Sequence, residues 1–109
     1  MEIALTPERN AASPFERMHL VIALTDVNSR HLSGESRRAG AEIELACALA
    51  SEARDGVSPE GAALIEQLRE RLGEADSVLR AIESDRDRLA NELARLDSRA
   101  SSGTQEGGQ

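Results

Sequence analysis

The chain has 109 residues and a formal net charge of −7, from 13 basic and 20 acidic residues, a sign that repels a phosphate backbone and excludes nucleic acid as a natural partner. Phe15 is its only aromatic residue, so the bulky anchors of a compact globular core are missing; Ala, Leu, Glu and Arg give the composition of long helices that each bury one stripe. Cys47 stands alone, which excludes an internal disulfide and points to a reducing compartment.

In chain order, the three prolines follow Ser or Thr, at Thr6-Pro7, Ser13-Pro14 and Ser58-Pro59. This is the pattern of an N-cap followed by proline at the first helical position. Thr6-Pro7-Glu8 begins no more than a short turn within residues 1–12, because Ser13-Pro14 interrupts it. Ser13-Pro14-Phe15-Glu16 is a capping box, with Glu16 placed to return a hydrogen bond to the Ser13 amide.

A first helix is expected over about 14–55. Phe15, Met18, Ile22, Thr25, Ser29, Leu32, Ser36, Ala39, Ile43, Ala46, Ala50 and Ala53 recur at alternating steps of three and four and share one face, large at its start and small at its end. Leu20, Val21, Leu24 and Val27 widen the apolar surface early on. Between Asn28 and Gly40 helix propensity falls, so the helix is either continuous with a kink or broken near Gly34. Asp55-Gly56-Val57-Ser58 is a short turn in which Gly56 takes the left-handed conformation that ends one helix before Ser58 caps the next.

A second helix is expected over about 59–98. Ile65, Leu68, Leu72, Ala75, Leu79, Ile82, Arg86, Leu89, Leu93, Leu96 and Ala100 form a coiled-coil seam broken only by Arg86. Arg86 either fixes register against an acidic group or snorkels to water. The two helices have matching lengths, and their short connection makes them antiparallel. The expected fold is therefore all-α, a coiled-coil-like two-helix hairpin over 13–98. Residues 99–109, poor in apolar side chains and rich in Ser, Gly and Gln, are expected to form a disordered tail.

One seam does not cover every apolar side chain. Leu20, Leu24, Val27, Val78 and Ile65 exceed what two helices bury between them, and at about 25 cal/mol per Å2 such a surplus represents several kcal/mol of association energy. The expected partner-binding surface is Leu20, Leu24 and Val27 with Val78, Leu79, Ile82, Arg86 and Leu89. A helix of another protein, or a second copy forming a dimer, would cover it.

No chemistry-bearing constellation competes with that reading. His19 and His31 lack metal-ligand spacing. Cys47 lies in an Ala-rich stretch and reads as a small apolar side chain. Glu60, Glu66, Glu70 and Glu74 read as a solvated face. No catalytic residues, cofactor, metal or small-molecule ligand are expected. The chain start shows no basic n-region of a signal peptide, and apolar runs such as Leu20–Leu24 are far too short to cross a membrane, so the expected location is cytoplasmic.

Leu64-Ile65-Glu66-Gln67-Leu68-Arg69-Glu70-Arg71-Leu72, Val78-Leu79-Arg80-Ala81 and Leu89-Ala90-Asn91-Glu92-Leu93 together resemble the C-terminal helix of flagellar export chaperones of the FlgN and FliT type. Ser33-Gly34-Glu35 resembles the helix break of those families. The resemblance implies a cytoplasmic chaperone or adaptor that shields amphipathic helices of export clients. A homo-oligomeric structural or regulatory coiled coil is the alternative. Glu106-Gly107-Gly108-Gln109 also resembles the end of the prokaryotic ubiquitin-like protein, which would imply conjugation through Gln109.

Overall fold

The computed structural model describes residues 13–108, with side chains as far as Ser101; the expected turn at Thr6-Pro7 and the terminal Gln109 lie outside the described residues. Two helices follow one another, α1 (Pro14–Asp55) and α2 (Pro59–Gly108).

Both starts are set by the predicted caps. Ser13 Oγ accepts from the Phe15 and Glu16 amides (3.1 and 3.4 Å), and the Ser13 amide donates to Glu16 Oε1 (3.2 Å). The reciprocal bonds satisfy donors that a helix start leaves unpaired. At the turn, Gly56 has φ of 92° and its amide donates to Glu52 O (2.9 Å), closing α1. Ser58 Oγ then accepts from the Gly61 amide (3.0 Å).

α1 is a single helix, unbroken at Gly34. A Cβ built on Gly34 would lie 3.1 Å from Leu79 Cδ1 and 3.7 Å from Ile82 Cδ1, so this glycine admits two bulky side chains of α2 against the α1 backbone. Its low helix propensity, about 1 kcal/mol below Ala, is offset by that packing.

α2 continues past Ser98, where composition placed its end, to Gly108. Among the described residues Gly56 alone has a positive φ, and no proline follows Pro59, so no left-handed residue or missing amide interrupts the backbone ladder there.

The described residues divide into two compact units, 29–83 and the pairing of 13–28 with 84–108. Within Ser29–Glu83 the halves of α1 and α2 run antiparallel as a hairpin about the Gly56 turn. Ala41, Ile65, Leu68, Leu79 and Ile82 are buried there, beside Gly34. Charges cross between the helices at intervals. His31 Nε2 lies 3.1 Å from Glu83 Oε2, Arg38 Nε 2.8 Å from Asp76 Oδ1, and Arg71 Nη1 3.3 Å from Glu44 Oε1. The Arg38 N–H is not aligned on Asp76 and finds no hydrogen-bond acceptor, so this contact is an ion pair by proximity.

In the other unit Val27, Leu89 and Leu96 are buried, Leu20, Leu24 and Leu93 are half-buried, and Arg17 Nε meets Asp97 Oδ1 at 3.1 Å across the helices.

The α2 seam is the one its spacing predicts. Ile65, Leu68, Leu79, Ile82, Leu89 and Leu96 are buried; Leu72, Ala75, Arg86 and Leu93 are half-buried; Ala100 is exposed. The α1 seam differs from expectation. Phe15, Met18, Ile22, Thr25, Ser29, Leu32, Ser36, Ala39, Ile43, Ala46, Ala50 and Ala53 are all exposed. The covered face is Leu20, Leu24, Val27, His31, Gly34, Arg38, Ala41, Leu45, Ala48 and Glu52, also at alternating steps of four and three.

Period alone does not choose between these two stripes; side-chain chemistry does. On the covered face, His31 and Arg38 meet Glu83 and Asp76, and Gly34 lets the helices approach. Covering the other stripe would have placed the Ser29 and Ser36 hydroxyls against an apolar seam, at a cost unless each found a hydrogen bond such as the one Thr25 Oγ1 donates to Val21 O.

Candidate functional site

α1 carries two apolar stripes on opposed faces. If Phe15 opens a heptad as position a, the exposed stripe occupies a and d and the covered stripe c and f. At 100° per residue their centres stand about 200° apart. The inner stripe packs on α2 within each unit, and the outer one faces water.

In the unit that pairs 13–28 with α2, the exposed stripe is made of large side chains. Phe15 is 70% exposed and Ile22 59%, with Met18 between them and Val21 on the flank. In the hairpin unit the same face carries Leu32 and Ile43 at 66% and 64%, and the small residues Ala39, Ala46, Ala50 and Ala53. Isolated exposed apolar residues are ordinary on a protein surface, but a row at helical spacing marks a place where another helix can lie.

The expected partner surface is placed differently. Val27, Leu79, Ile82 and Leu89 are buried in the chain's own seam, and Leu20, Leu24 and Arg86 are half-buried in it. Of these residues Val78 alone is exposed. Arg86, about one-third exposed, has its ion-pair contact with Asp87 of the same helix at 4.0 Å, so its charge reaches water past the seam.

Val78 lines an open groove of about 510 Å3 in the hairpin unit, with Gly34, Gly40, Ala41 and Ala75. The groove exists because these residues are small. No atom lies within 4 Å of a Cβ built on Gly40. Arg37, Glu44, Arg71 and Glu74 line it as well, and the Arg71–Glu44 pair bridges the helices there.

His31 is flanked by carboxylates on both ring nitrogens, Glu83 at 3.1 Å and Glu35 at 3.7 Å. Neither neighbour is a metal-ligating His or Cys, and among the described residues no cluster of His, Cys, Asp and Glu could hold a metal ion. Cys47 is exposed. Arg88 is held charged even more firmly than an ordinary arginine, first by its hydrogen bond to Asp85. It lies within a same-helix network, 3.0 Å from Asp85 and 2.9 Å from Glu92, which stiffens the exposed side of α2.

Sequence reasoning missed the outer face because it assigned the outer stripe to the hairpin. A usable signal was present. His31 and Arg38 stand seven residues apart on α1, as do Asp76 and Glu83 on α2, so antiparallel pairing of opposite charges selects the face that holds His31 and Arg38.

No protein-family model matches the chain, and neither a curated protein nor a solved structure matches it. Among the described residues no helix is long and apolar enough to cross a membrane.

Proposed function

We propose that this chain is a non-catalytic interaction protein of the cytoplasm that binds amphipathic helices on the outer face of α1. The observation that carries the reading is the two-faced character of α1: its inner stripe already holds α2, yet Phe15, Met18, Ile22, Leu32 and Ile43 remain in water at helical spacing. An export chaperone or adaptor is the form of this function that the resemblance of α2 favours. Its client would lay the apolar side of a helix along α1, as helices do in hydrophobic grooves.

The test replaces Ile22 and Ile43 by Asp. Both side chains are exposed, so circular dichroism should show an unchanged helical hairpin, while a client helix captured by the wild-type chain and identified by mass should no longer bind. Undiminished binding of that client would place the docking surface elsewhere.

A further inference from the structure

We infer that a second copy of this chain occupies the outer face of α1, antiparallel to the first, with Phe15 of one copy set against Ala53 of the other. The inference rests on the reading that this face docks helices, and it names the partner taken by the protein on its own.

Side-chain size along the stripe selects this pairing. From Phe15 to Leu32 the stripe reads Phe15, Met18, Ile22, Thr25, Ser29, Leu32; from Ser36 to Ala53 it reads Ser36, Ala39, Ile43, Ala46, Ala50, Ala53. An antiparallel pairing about a two-fold axis near Gly34 places Phe15 on Ala53, Met18 on Ala50, Ile22 on Ala46, Thr25 on Ile43, Ser29 on Ala39 and Leu32 on Ser36. Each layer but one joins a larger side chain to a smaller, and the exception, Ser29 on Ala39, joins two small ones. An antiparallel coiled coil sets a positions against d positions, and all six layers obey that rule. Parallel pairing would instead set Phe15 on Phe15 at one end and Ala53 on Ala53 at the other, leaving a taper that close packing does not tolerate.

The flanks agree with the layers. Val21 and Leu49, both exposed, lie on the same edge of the stripe and fall opposite each other, widening the contact. On the other edge Arg54 falls beside Glu16 of the second copy, an opposite-charge pair. Two features oppose. The Ser29 and Ser36 hydroxyls enter the covered face and cost stability unless each donates to a carbonyl of its own helix, as Thr25 Oγ1 does to Val21 O; and Glu35 meets its own counterpart near the axis, although each Glu35 lies 3.7 Å from the His31 of its own chain.

The area is sufficient. A stripe of 39 residues, Phe15 to Ala53, is about 57 Å long and roughly 10 Å wide, so two copies cover on the order of 1,100 Å2. This clears the roughly 1,000 Å2 that separates a specific interface from a packing contact.

The full chain is tested by sedimentation equilibrium with variants of one layer. Ala50→Met sets two methionines against each other and Met18→Ala sets two alanines; each should weaken the dimer at least tenfold. The exchange of both, Met18→Ala with Ala50→Met, restores a layer of one large and one small residue and should return the dissociation constant to within about threefold of wild type. Both positions are exposed, so helicity should hold in all three variants. Orientation is read separately in Cys47→Ser chains carrying Met18→Cys and Ala50→Cys, where mild oxidation should link 18 to 50 of the other copy. A wild-type monomer at 100 µM (about a hundred times a micromolar Kd), links of 18 to 18, or failure of the exchange to restore the dimer would overturn the inference. A monomer that still binds its client helix would leave the docking face standing; loss of both would remove it.

Discussion

At the scale of single residues, the glycines separate by what surrounds them. Gly40 and Gly73 sit inside helices with no atom within 4 Å of a built Cβ, so Ala at either position recovers helix propensity without a clash. Each substitution should raise the free energy of unfolding by about 0.5–1 kcal/mol, measured by urea titration. Gly56 has equally open surroundings but a φ of 92°, and Gly56→Ala should lower stability by about 1 kcal/mol, because an L side chain strains the left-handed cap. The cross-helix charges act by choosing a face more than by strength. Arg38 and Asp76 are 42% and 37% exposed, so water screens them, and a double-mutant cycle with Arg38→Met and Asp76→Asn should give a coupling of only about 0.5–1 kcal/mol. A coupling near zero would mean that the pair does not help select the inner face of α1.

At the scale of elements, α2 was legible because it carries one apolar stripe. Its exposed positions are charged, polar or small apart from Leu64 and Val78, so spacing leaves a single choice, and every expected seam residue from Ile65 to Leu96 is buried or half-buried. α1 has two stripes of the same period, and size pointed to the wrong one: Phe15, Met18 and Ile22 look like core and are exposed. The turn and both caps were legible because Ser-Pro pairs and Gly56 act locally. The continuity of α1 was not, because what holds Gly34 in the helix is a contact with Leu79, distant in sequence. The partner surface failed for the same reason as the α1 seam, since choosing the inner face decides which residues are left over. Two leucines of α2 show the consequence. Leu79 is buried and Leu64 is 48% exposed, so Leu79→Ala should cost about 2–5 kcal/mol and Leu64→Ala under about 1 kcal/mol. A substitution at Leu79 or Ile82 thus reports on the hairpin's own stability, and a partner lost through it says nothing about docking.

At the scale of the whole molecule, charge distinguishes a second copy from an oppositely charged client. Each chain carries a formal net charge of −7, so two copies repel, and the Glu35 side chains that meet near the proposed axis add to that repulsion. Added salt screens both: the Debye length falls from about 30 Å at 0.01 M ionic strength to about 10 Å at 0.1 M and about 3 Å at 1 M. The Arg54–Glu16 contact is screened too, but it is a surface pair worth at most about 1 kcal/mol. Apolar burial along the stripe is insensitive to this screening. Self-association should therefore tighten, by roughly threefold or more, as ionic strength rises from 0.01 to 0.5 M in sedimentation or light-scattering titrations. A complex with a basic client helix should weaken over the same range, because there the long-range charge is attractive. A dimer that dissociates as salt is added would show that ion pairs, and not the alternation of large and small side chains along α1, hold the copies together.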